Sequence, residues 1–443
     1  MSRRLLLGCL ADDFTGAGDA ASFIAGSGLK TILFNGIPEE TEVREADAVV
    51  IALKTRTEER DKAVADSLRA AAWLLKMGAQ HIYIKYCSTF DSTAKGNIGP
   101  VMDAVLEYCG ERASILCPAL PVNGRVVRKG KLYVNGVLLE ESPMRYHPLT
   151  PMRQSDIGKL MEPQSKYPCV MLDQEHMARS KEEIWSDIEQ RTAGLKHYYL
   201  VPDYEKDSDG KKIAEVFGQM RVLSGGSGIL TDLCERYCQD QKQNGGCDGR
   251  TSVYTDGKGI ILAGSCSAAT RRQIKEFGDS GNFAYKVEPG KLMTGEQTAQ
   301  SVWQEIEKNA AGKEILIYSS DEPDKVEEAQ KAGKEQTAAM IEEFFASLAV
   351  KAEASGYKRI IVAGGETSGA VTKALGYGAY HISESIAPGV PVMIPIKNPS
   401  IRLVLKSGNF GQPDFFLRAL ERTAASCAQQ CSESLAKGER SDG

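Results

Sequence analysis

Two adjacent carboxylates, Asp12 and Asp13, end the apolar run Leu5-Leu6-Leu7-Gly8-Cys9-Leu10 and precede the small-residue stretch Phe14-Thr15-Gly16-Ala17-Gly18-Asp19-Ala20-Ala21. Such a run reads as a buried parallel strand, a turn and a helix. In open α/β sheets ligands sit outside the carboxyl ends of the strands, where two acids can accept a hydroxyl proton or hold a cation. Burying neighbouring carboxylates is costly unless cations, a metal or hydroxyl donors meet them. The plainer alternative is that one Asp caps the helix and the other is solvated. A second set, Lys85-Tyr86-Cys87-Ser88-Thr89-Phe90-Asp91-Ser92-Thr93-Ala94-Lys95-Gly96-Asn97, follows the strand-like His81 to Tyr86. Its cations Lys85 and Lys95, its carboxylate Asp91 and its hydroxyls Ser88, Thr89 and Ser92 suit a small polyhydroxylated anion. A Ser/Thr-rich turn before a helix would use the same residues. A third loop, Pro118 to Arg125, offers Asn123 and a guanidinium, Arg125, suited to bidentate carboxylate binding. His147 reads equally as a loop histidine or a ligand contact. Gly225-Gly226-Ser227-Gly228 reads as a hinge or a lid.

Glycine carries the second half. Gly264-Ser265-Cys266-Ser267, Gly364-Gly365-Glu366-Thr367-Ser368-Gly369 and Ser407-Gly408-Asn409-Phe410-Gly411 each follow an apolar strand-like run. Glycine admits backbone amides close to an anion, and hydroxyls add donors at the positive end of a helix. Three such loops point to phosphate. No G-x-x-x-x-G-K-[ST] motif is present, because Ala370-Val371 follow Gly369. Lys406 is either a substitute for the missing lysine or a surface residue. Gly16-Ala17-Gly18-Asp19-Ala20-Ala21 imitates a dinucleotide fingerprint, but Asp12 and Asp13 place negative charge where a pyrophosphate would lie.

Elements that could position these groups alternate along the chain. Strand-like Ala48–Leu53, His81–Tyr86 and Ala113–Cys117 flank helix-like Glu58–Met77 and Ile98–Tyr108, and Asn135-Gly136 marks a hairpin. A second alternation begins at Gly259–Ala263 and continues through Ile315–Tyr318 and Arg359–Ala363. The expected fold is α/β, two doubly wound, mainly parallel-sheet domains with a ligand cleft between them. The expected boundaries are 1–238 for substrate, 239–257 as a polar linker, 258–425 for nucleotide, and 426–443 as a frayed tail.

At 443 residues, 42% hydrophobic and 26% charged, the chain has the composition of a soluble two-domain protein. No apolar run approaches a membrane span, and the run after Ser2-Arg3-Arg4 is too short for a signal peptide. A net charge of −5 gives no electrostatic case for nucleic acid. Eleven scattered cysteines fit reduced cytoplasmic thiols; Cys234/Cys238 and Cys427/Cys431 lack a nearby histidine to complete a zinc site.

ADDFTGAGDAA, KYCSTFDSTAKGNIGP, PALPVNGR, GGSG, GSCS, AGGETSG, IAPGVP and LKSGNFG, in that order, resemble the four-carbon acid sugar kinase family from about Leu5 to Phe416. The resemblance implies an N-terminal substrate domain, a C-terminal nucleotide domain, and phosphorylation of C4 sugar acids by ATP. It carries ATP contacts onto Ser265, Gly364, Gly365, Glu366, Thr367 and Gly408; Ser267 is added from its position beside them. Threonate and erythronate kinases of the family typically show Asp-Ser-Thr-x-Arg-Gly-Asn, whereas Lys95 stands here in place of that Arg. Together with Cys87-Ser88-Thr89-Phe90, this resembles the branch acting on 3-oxo-tetronates at the 4-hydroxyl, with threonate or erythronate as the alternative substrates. Asp12, Asp13 or Asp91 would then serve as base, and Lys85, Lys95 and Arg125 as cations. Mg²⁺ is expected with ATP, its ligands unassigned. The expected partners are a small sugar acid and ATP, without nucleic acid or membrane, in a protein compatible with a homodimer. A nicotinamide oxidoreductase and a non-catalytic sugar-acid sensor are the more distant readings.

Overall fold

The computed structural model describes residues 5–39, 46–147, 150–242, 253–310, 312–319 and 334–425. The chain divides into two compact units, Met1–Arg250 and Thr251–Gly443. Their boundary falls within the expected linker, but helix Leu230–Lys242 runs past the expected domain edge at residue 238. Residues 243–252 of that linker and the tail 426–443 lie outside the described residues. Among the described residues no helix is long and apolar enough to cross a membrane.

In the N-terminal unit, β1 (Leu7–Ala11), β2 (Thr31–Asn35), β3 (Ala48–Ala52) and β4 (His81–Lys85) belong to one sheet with a later strand. Strands β5 (Ala113–Ile115), β6 (Arg125–Arg128), β7 (Lys131–Val134), β8 (Val137–Leu138), β9 (Cys169–Leu172), β10 (Tyr198–Pro202) and β11 (Val222–Gly225) follow. The main sheet runs β11-β4-β1-β3-β2 and is parallel throughout. Every residue of β1 and β3 is buried, as expected of parallel strands covered on both faces. A Cβ at Gly8 would lie 2.8 Å from Leu74, so glycine in β1 lets the helix above it pack closely. A second parallel sheet runs β5-β10-β9, and β6-β7-β8 is antiparallel. Asn135 and Gly136 join β7 to β8 with φ of 50° and 85°, the two left-handed residues expected of an Asn-Gly hairpin.

The C-terminal unit adds β12 (Lys258–Ala263), β13 (Phe283–Lys286), β14 (Ile315–Tyr318), β15 (Tyr357–Ala363), β16 (Ala379–Ala387), β17 (Val390–Pro395) and β18 (Arg402–Lys406). Its order is β16-β17-β18-β15-β12-β14-β13. The β18-β15-β12-β14-β13 part is parallel, whereas β17 runs antiparallel to both β16 and β18. That hairpin departs from simple strand–helix alternation. It turns at Pro388-Gly389, with proline first and glycine second at φ 79°, the arrangement of a type II turn. Its core gathers Ile261, Ile361, Val404, Phe415 and Phe416.

The helices bearing on the strand-end loops are α1 (Phe14–Gly26), α2 (Arg60–Lys76), α3 (Ile98–Tyr108), α4 (Leu230–Lys242), α5 (Ala268–Asp279), α6 (Gly365–Leu375) and α7 (Phe415–Thr423). The chain is therefore mixed α/β, with a mainly parallel sheet in each unit.

Candidate active site

Because β4, β1 and β3 are parallel neighbours, their following loops emerge at one edge. A cavity there is lined by Asp12, Thr55, Arg56, Lys85, Tyr86, Asp91, Ser92 and Asn97. Asp12 takes a bidentate clamp from Arg56, with Nε 2.9 Å and Nη2 2.8 Å from its two oxygens. The remaining arm, Arg56 Nη1, lies 2.6 Å from Asp13 Oδ2. The other oxygen of Asp13 accepts from Gly16 N and caps α1. One acid does cap the helix, yet both also share a guanidinium. Burial pushes the Asp13 carboxyl up, and the Arg56 charge pulls against it.

Lys85 ends β4 and is 3% exposed. Its Nζ donates to the Tyr86 carbonyl at 3.1 Å and lies 3.6 Å from Asp19 Oδ2 in α1. Burial would lower its pKa, but the carboxylates of Asp19, Asp12 and Asp13 outweigh it and raise it. Asp19 also accepts from Ser227 Oγ at 2.6 Å. The Gly225–Gly228 loop is thus interior. A Cβ at Gly225, Gly226 or Gly228 would meet a carbonyl of Cys117, Pro118 or Ala119 within 2.5 Å. The loop holds the Asp19–Lys85 pair, which is the role the structure gives the GGSG motif.

Phe90 and Asp91 have φ of 66° and 37°, left-handed backbone that side chains seldom adopt. Phe90 is fixed by edge-on packing against Tyr86 with ring centroids 5.5 Å apart. Asp91 accepts from Thr89 Oγ1 at 2.7 Å and has no cation partner among the described residues. The Ser92 hydroxyl donates to Gln164 Oε1 at 2.6 Å. Asn97 Nδ2 donates to the carbonyls of Thr55 (2.7 Å) and Glu58 (2.9 Å), tying the Asp91 loop to the loop that carries Arg56. Ser88 is half-buried, and neither it nor Thr89 is among the residues that line the cavity. Lys95 is exposed and does not line the cavity. Asn123 and Arg125 sit apart from that lining; Arg125 Nη1 donates to the Asn123 carbonyl. His147 Nδ1 accepts from Thr150 N at 3.1 Å, which makes it a loop histidine.

Sequence reasoning missed Arg56 and the buried role of Asp19. The signal for Arg56 was available: Lys54-Thr55-Arg56 follows apolar β3 just as Lys85 ends β4.

In the C-terminal unit the three glycine loops follow β12, β15 and β18, which are parallel neighbours. They touch. A Cβ at Gly408 would lie 2.4 Å from Ser265 Oγ, and one at Gly264 would lie 2.2 Å from Thr367 Oγ1. Gly364 has φ 126° and donates its N–H to the Lys406 carbonyl at 3.0 Å. Among the described residues no side chain caps α6, and its first residues Gly365 and Glu366 are exposed, with Thr367 buried behind them. Uncapped first-turn amides are an anion cradle. Ser265 Oγ accepts from Ser267 N at 3.2 Å. Ser267 caps α5 and donates to the Gly408 carbonyl, so its hydroxyl is spent within the protein.

Lys406 is 1% exposed, which removes the surface-residue reading. Its Nζ lies 3.0 Å from Thr270 Oγ1, 3.0 Å from the Gly408 carbonyl and 3.2 Å from the Ser407 carbonyl. Burial lowers its pKa to about 8.

Comparison with known proteins follows this division. The model of a sugar-binding N-terminal domain matches residues 7–233, and that of a nucleotide-binding C-terminal domain matches 260–416. A Pectobacterium atrosepticum protein named 3-oxo-tetronate kinase is 40% identical over 95% of this chain and 99% of its own. One of the same name from Brucella melitensis is 41% identical over 93% and 94%. A crystal structure of a Salmonella typhimurium LT2 protein superposes with a TM-score of 0.86 at 36% identity, covering 94% of this chain and 98% of that one. The chain belongs to the four-carbon acid sugar kinase family.

Proposed function

We propose that the chain is an ATP-dependent kinase that phosphorylates the 4-hydroxyl of a 3-oxo-tetronate. The observation carrying this reading is one strand-end site in each unit: paired acids and cations in one, glycine loops and an uncapped helix in the other. Near-full-length identity of about 40% to proteins named for that activity supports the same substrate. A cytoplasmic setting accords with a metabolic kinase.

Phosphoryl transfer depends chiefly on alignment and charge neutralisation, with one group to orient the attacking hydroxyl. Asp91 is the base we assign. Asp12 is held on both oxygens by Arg56, and Asp13 is divided between Arg56 and the helix cap. The oxygens of Asp12 and Asp13 are thus engaged, whereas among the described residues Asp91 accepts only from a threonine hydroxyl and can still take a substrate hydroxyl. Lys85 and Arg56 line the same cavity and supply donors for the substrate carboxylate. Asp12 can accept from a substrate hydroxyl at its edge.

ATP fits the C-terminal loops because the space that a side chain at Gly408 or Gly264 would fill is already taken by neighbouring hydroxyls, leaving bare backbone outward. The amides of Gly365, Glu366 and Thr367 would hold phosphate oxygens, with the hydroxyl of Ser265 beside them. A Mg²⁺ ion entering with ATP would neutralise charge on the transferring group, and exposed Glu366 is a carboxylate there able to hold its waters.

A 3-oxo group only accepts hydrogen bonds, whereas the 3-hydroxyl of threonate or erythronate also donates. In a desolvated site built for the ketone, an unmatched hydroxyl proton costs roughly 1–3 kcal/mol, about ten- to a hundredfold in specificity. Thr89 and Ser92 already donate to Asp91 and Gln164, so Ser88 is the one of the three whose hydroxyl has no partner among the described residues. An ADP-release assay over C4 acids and their 3-oxo forms, with and without Mg²⁺, tests the reading. Higher kcat/KM on the 3-oxo acid supports it; preference for threonate or erythronate under matched conditions overturns it.

A further inference from the structure

We propose that Ser267, Thr270 and Lys406 clamp the Gly408 carbonyl inward so that the Asn409 backbone N–H is presented outward as a phosphate donor, with Lys406 a positioning residue. This rests on reading the C-terminal unit as the ATP site and goes beyond it in naming the donor and the device that aims it.

Three donors converge on one oxygen. Ser267 Oγ lies 2.5 Å from the Gly408 carbonyl, Thr270 Oγ1 3.0 Å and Lys406 Nζ 3.0 Å. A carbonyl oxygen has two lone-pair directions, so this one is saturated and its orientation fixed. In a trans peptide the C=O and the next N–H point in opposite directions. Turning the Gly408 oxygen into the clamp therefore turns the Asn409 N–H away from it. Asn409 is exposed, between half-buried Gly408 and Phe410. Among the described residues its N–H has no backbone acceptor, whereas the next amide, Phe410 N, donates to Ser407 O at 3.1 Å.

The same distances argue against Lys406 as a hand on the phosphate. An ammonium has three N–H donors. All three are met: by Thr270 Oγ1, by the Ser407 carbonyl and by the Gly408 carbonyl. To reach a phosphate oxygen Lys406 would have to abandon the loop it holds. The Phe415 ring covers its other side, 5.9 Å from Nζ to the ring centroid. A Cβ at Gly408 would come within 2.4 Å of Ser265 Oγ and 3.1 Å of Ser267 Oγ, so a side chain there would press on the hydroxyls that border the clamp.

The test uses the full chain with selectively ¹⁵N-labelled asparagine, the Asn409 amide resonance being assigned by its loss in Asn409→Ala. Titration with ADP should move that resonance downfield as nucleotide saturates. Thr270→Val, which removes one clamp donor and no charge, should weaken ADP binding about tenfold. Lys406→Met should weaken it by more, and the double variant by less than the product of the two, because both act through one carbonyl. Sugar-acid affinity should stay unchanged in each. ADP bound to wild type with an unmoved Asn409 amide would overturn the proposal, as would wild-type ADP affinity in Thr270→Val. Failure of wild type to bind ADP at all would overturn the nucleotide reading itself, a distinct outcome in the same titration.

Discussion

Lys85 and Lys406 hold the same address in the two units. Each is the last residue of a parallel strand and is almost fully buried. Their surroundings are opposite. Around Lys85 stand Asp19, Asp12 and Asp13, whose charge overcomes burial and raises its pKa. Around Lys406 stand a hydroxyl, two carbonyls and the Phe415 ring; burial, opposed by no carboxylate among the described residues, lowers its pKa to about 8. One site is made of charged side chains, Arg56 shared by Asp12 and Asp13, Lys85 beside Asp19, and Asp91 left without a cation among the described residues, which can orient a small ligand bearing hydroxyls and a carboxylate. The other is made of backbone amides and hydroxyls over an uncompensated positive charge, which suits a polyanion of fixed chemistry. The same sheet-edge architecture thus carries two kinds of recognition.

That contrast breaks most severely at Asp91. Asp91→Asn should lower kcat by ~10²–10⁴-fold while leaving ADP affinity within about twofold, measured by steady-state kinetics and calorimetry. Asp12→Asn, which unlocks Arg56, should act as strongly on sugar-acid affinity as on turnover. The two lysines separate next. Lys85→Met leaves Asp19 as a buried charge without its cation and should cost about 3–5 kcal/mol in urea unfolding. Lys406→Met removes hydrogen bonds but strands no carboxylate, so its cost should be nearer ~1–3 kcal/mol. Equal losses would erase the distinction between the sites.

Gly408→Ala, which drives a Cβ to 2.4 Å from Ser265 Oγ, should weaken ADP binding at least about tenfold without touching sugar-acid binding. A smaller effect comes with pH. Binding a polyanion favours the Lys406 ammonium, so its pKa in the complex stands above the free value of about 8 and nucleotide binding takes up a proton. ADP affinity should therefore hold below pH 8 and fall about three- to tenfold by pH 9.5, with that decline absent in Lys406→Met. Smallest of all is Lys95→Arg. Because Lys95 is exposed and outside the cavity lining, its effect on the preference for a 3-oxo acid should stay within about threefold. A larger narrowing would return Lys95 to the site.

Much of this was legible as strand–loop–helix grammar. The apolar run ahead of Asp12, the His81 strand ahead of Asp91 and the glycine loops ahead of α5 and α6 all lie where period and punctuation place them. Pairings between distant segments were not legible. Asp19 sits among alanines and glycines in α1, and nothing local announces that Lys85 and Ser227 converge on it. Lys406 looks like any lysine closing a strand; only the packing of Thr270 and Phe415 shows that it is interior. The left-handed backbone at Phe90 leaves no trace in residue type, and Asp91 leaves only the weak one that aspartate tolerates this region better than most residues. The β16–β17 hairpin lay behind Pro388-Gly389, a turn signal masked by strands too long and mixed in polarity to show a period.

The observations converge on transfer of a phosphoryl group from ATP to the 4-oxygen of a 3-oxo-tetronate. It is tested most directly by following the reaction of ¹³C4-labelled 3-oxo-tetronate with ATP and Mg²⁺ by ³¹P and ¹³C NMR. A phosphate monoester coupled to carbon 4 should form, one-for-one with ADP and faster than any ester from threonate or erythronate. ATP left intact, phosphate on another oxygen, or faster transfer to a reduced acid would contradict it.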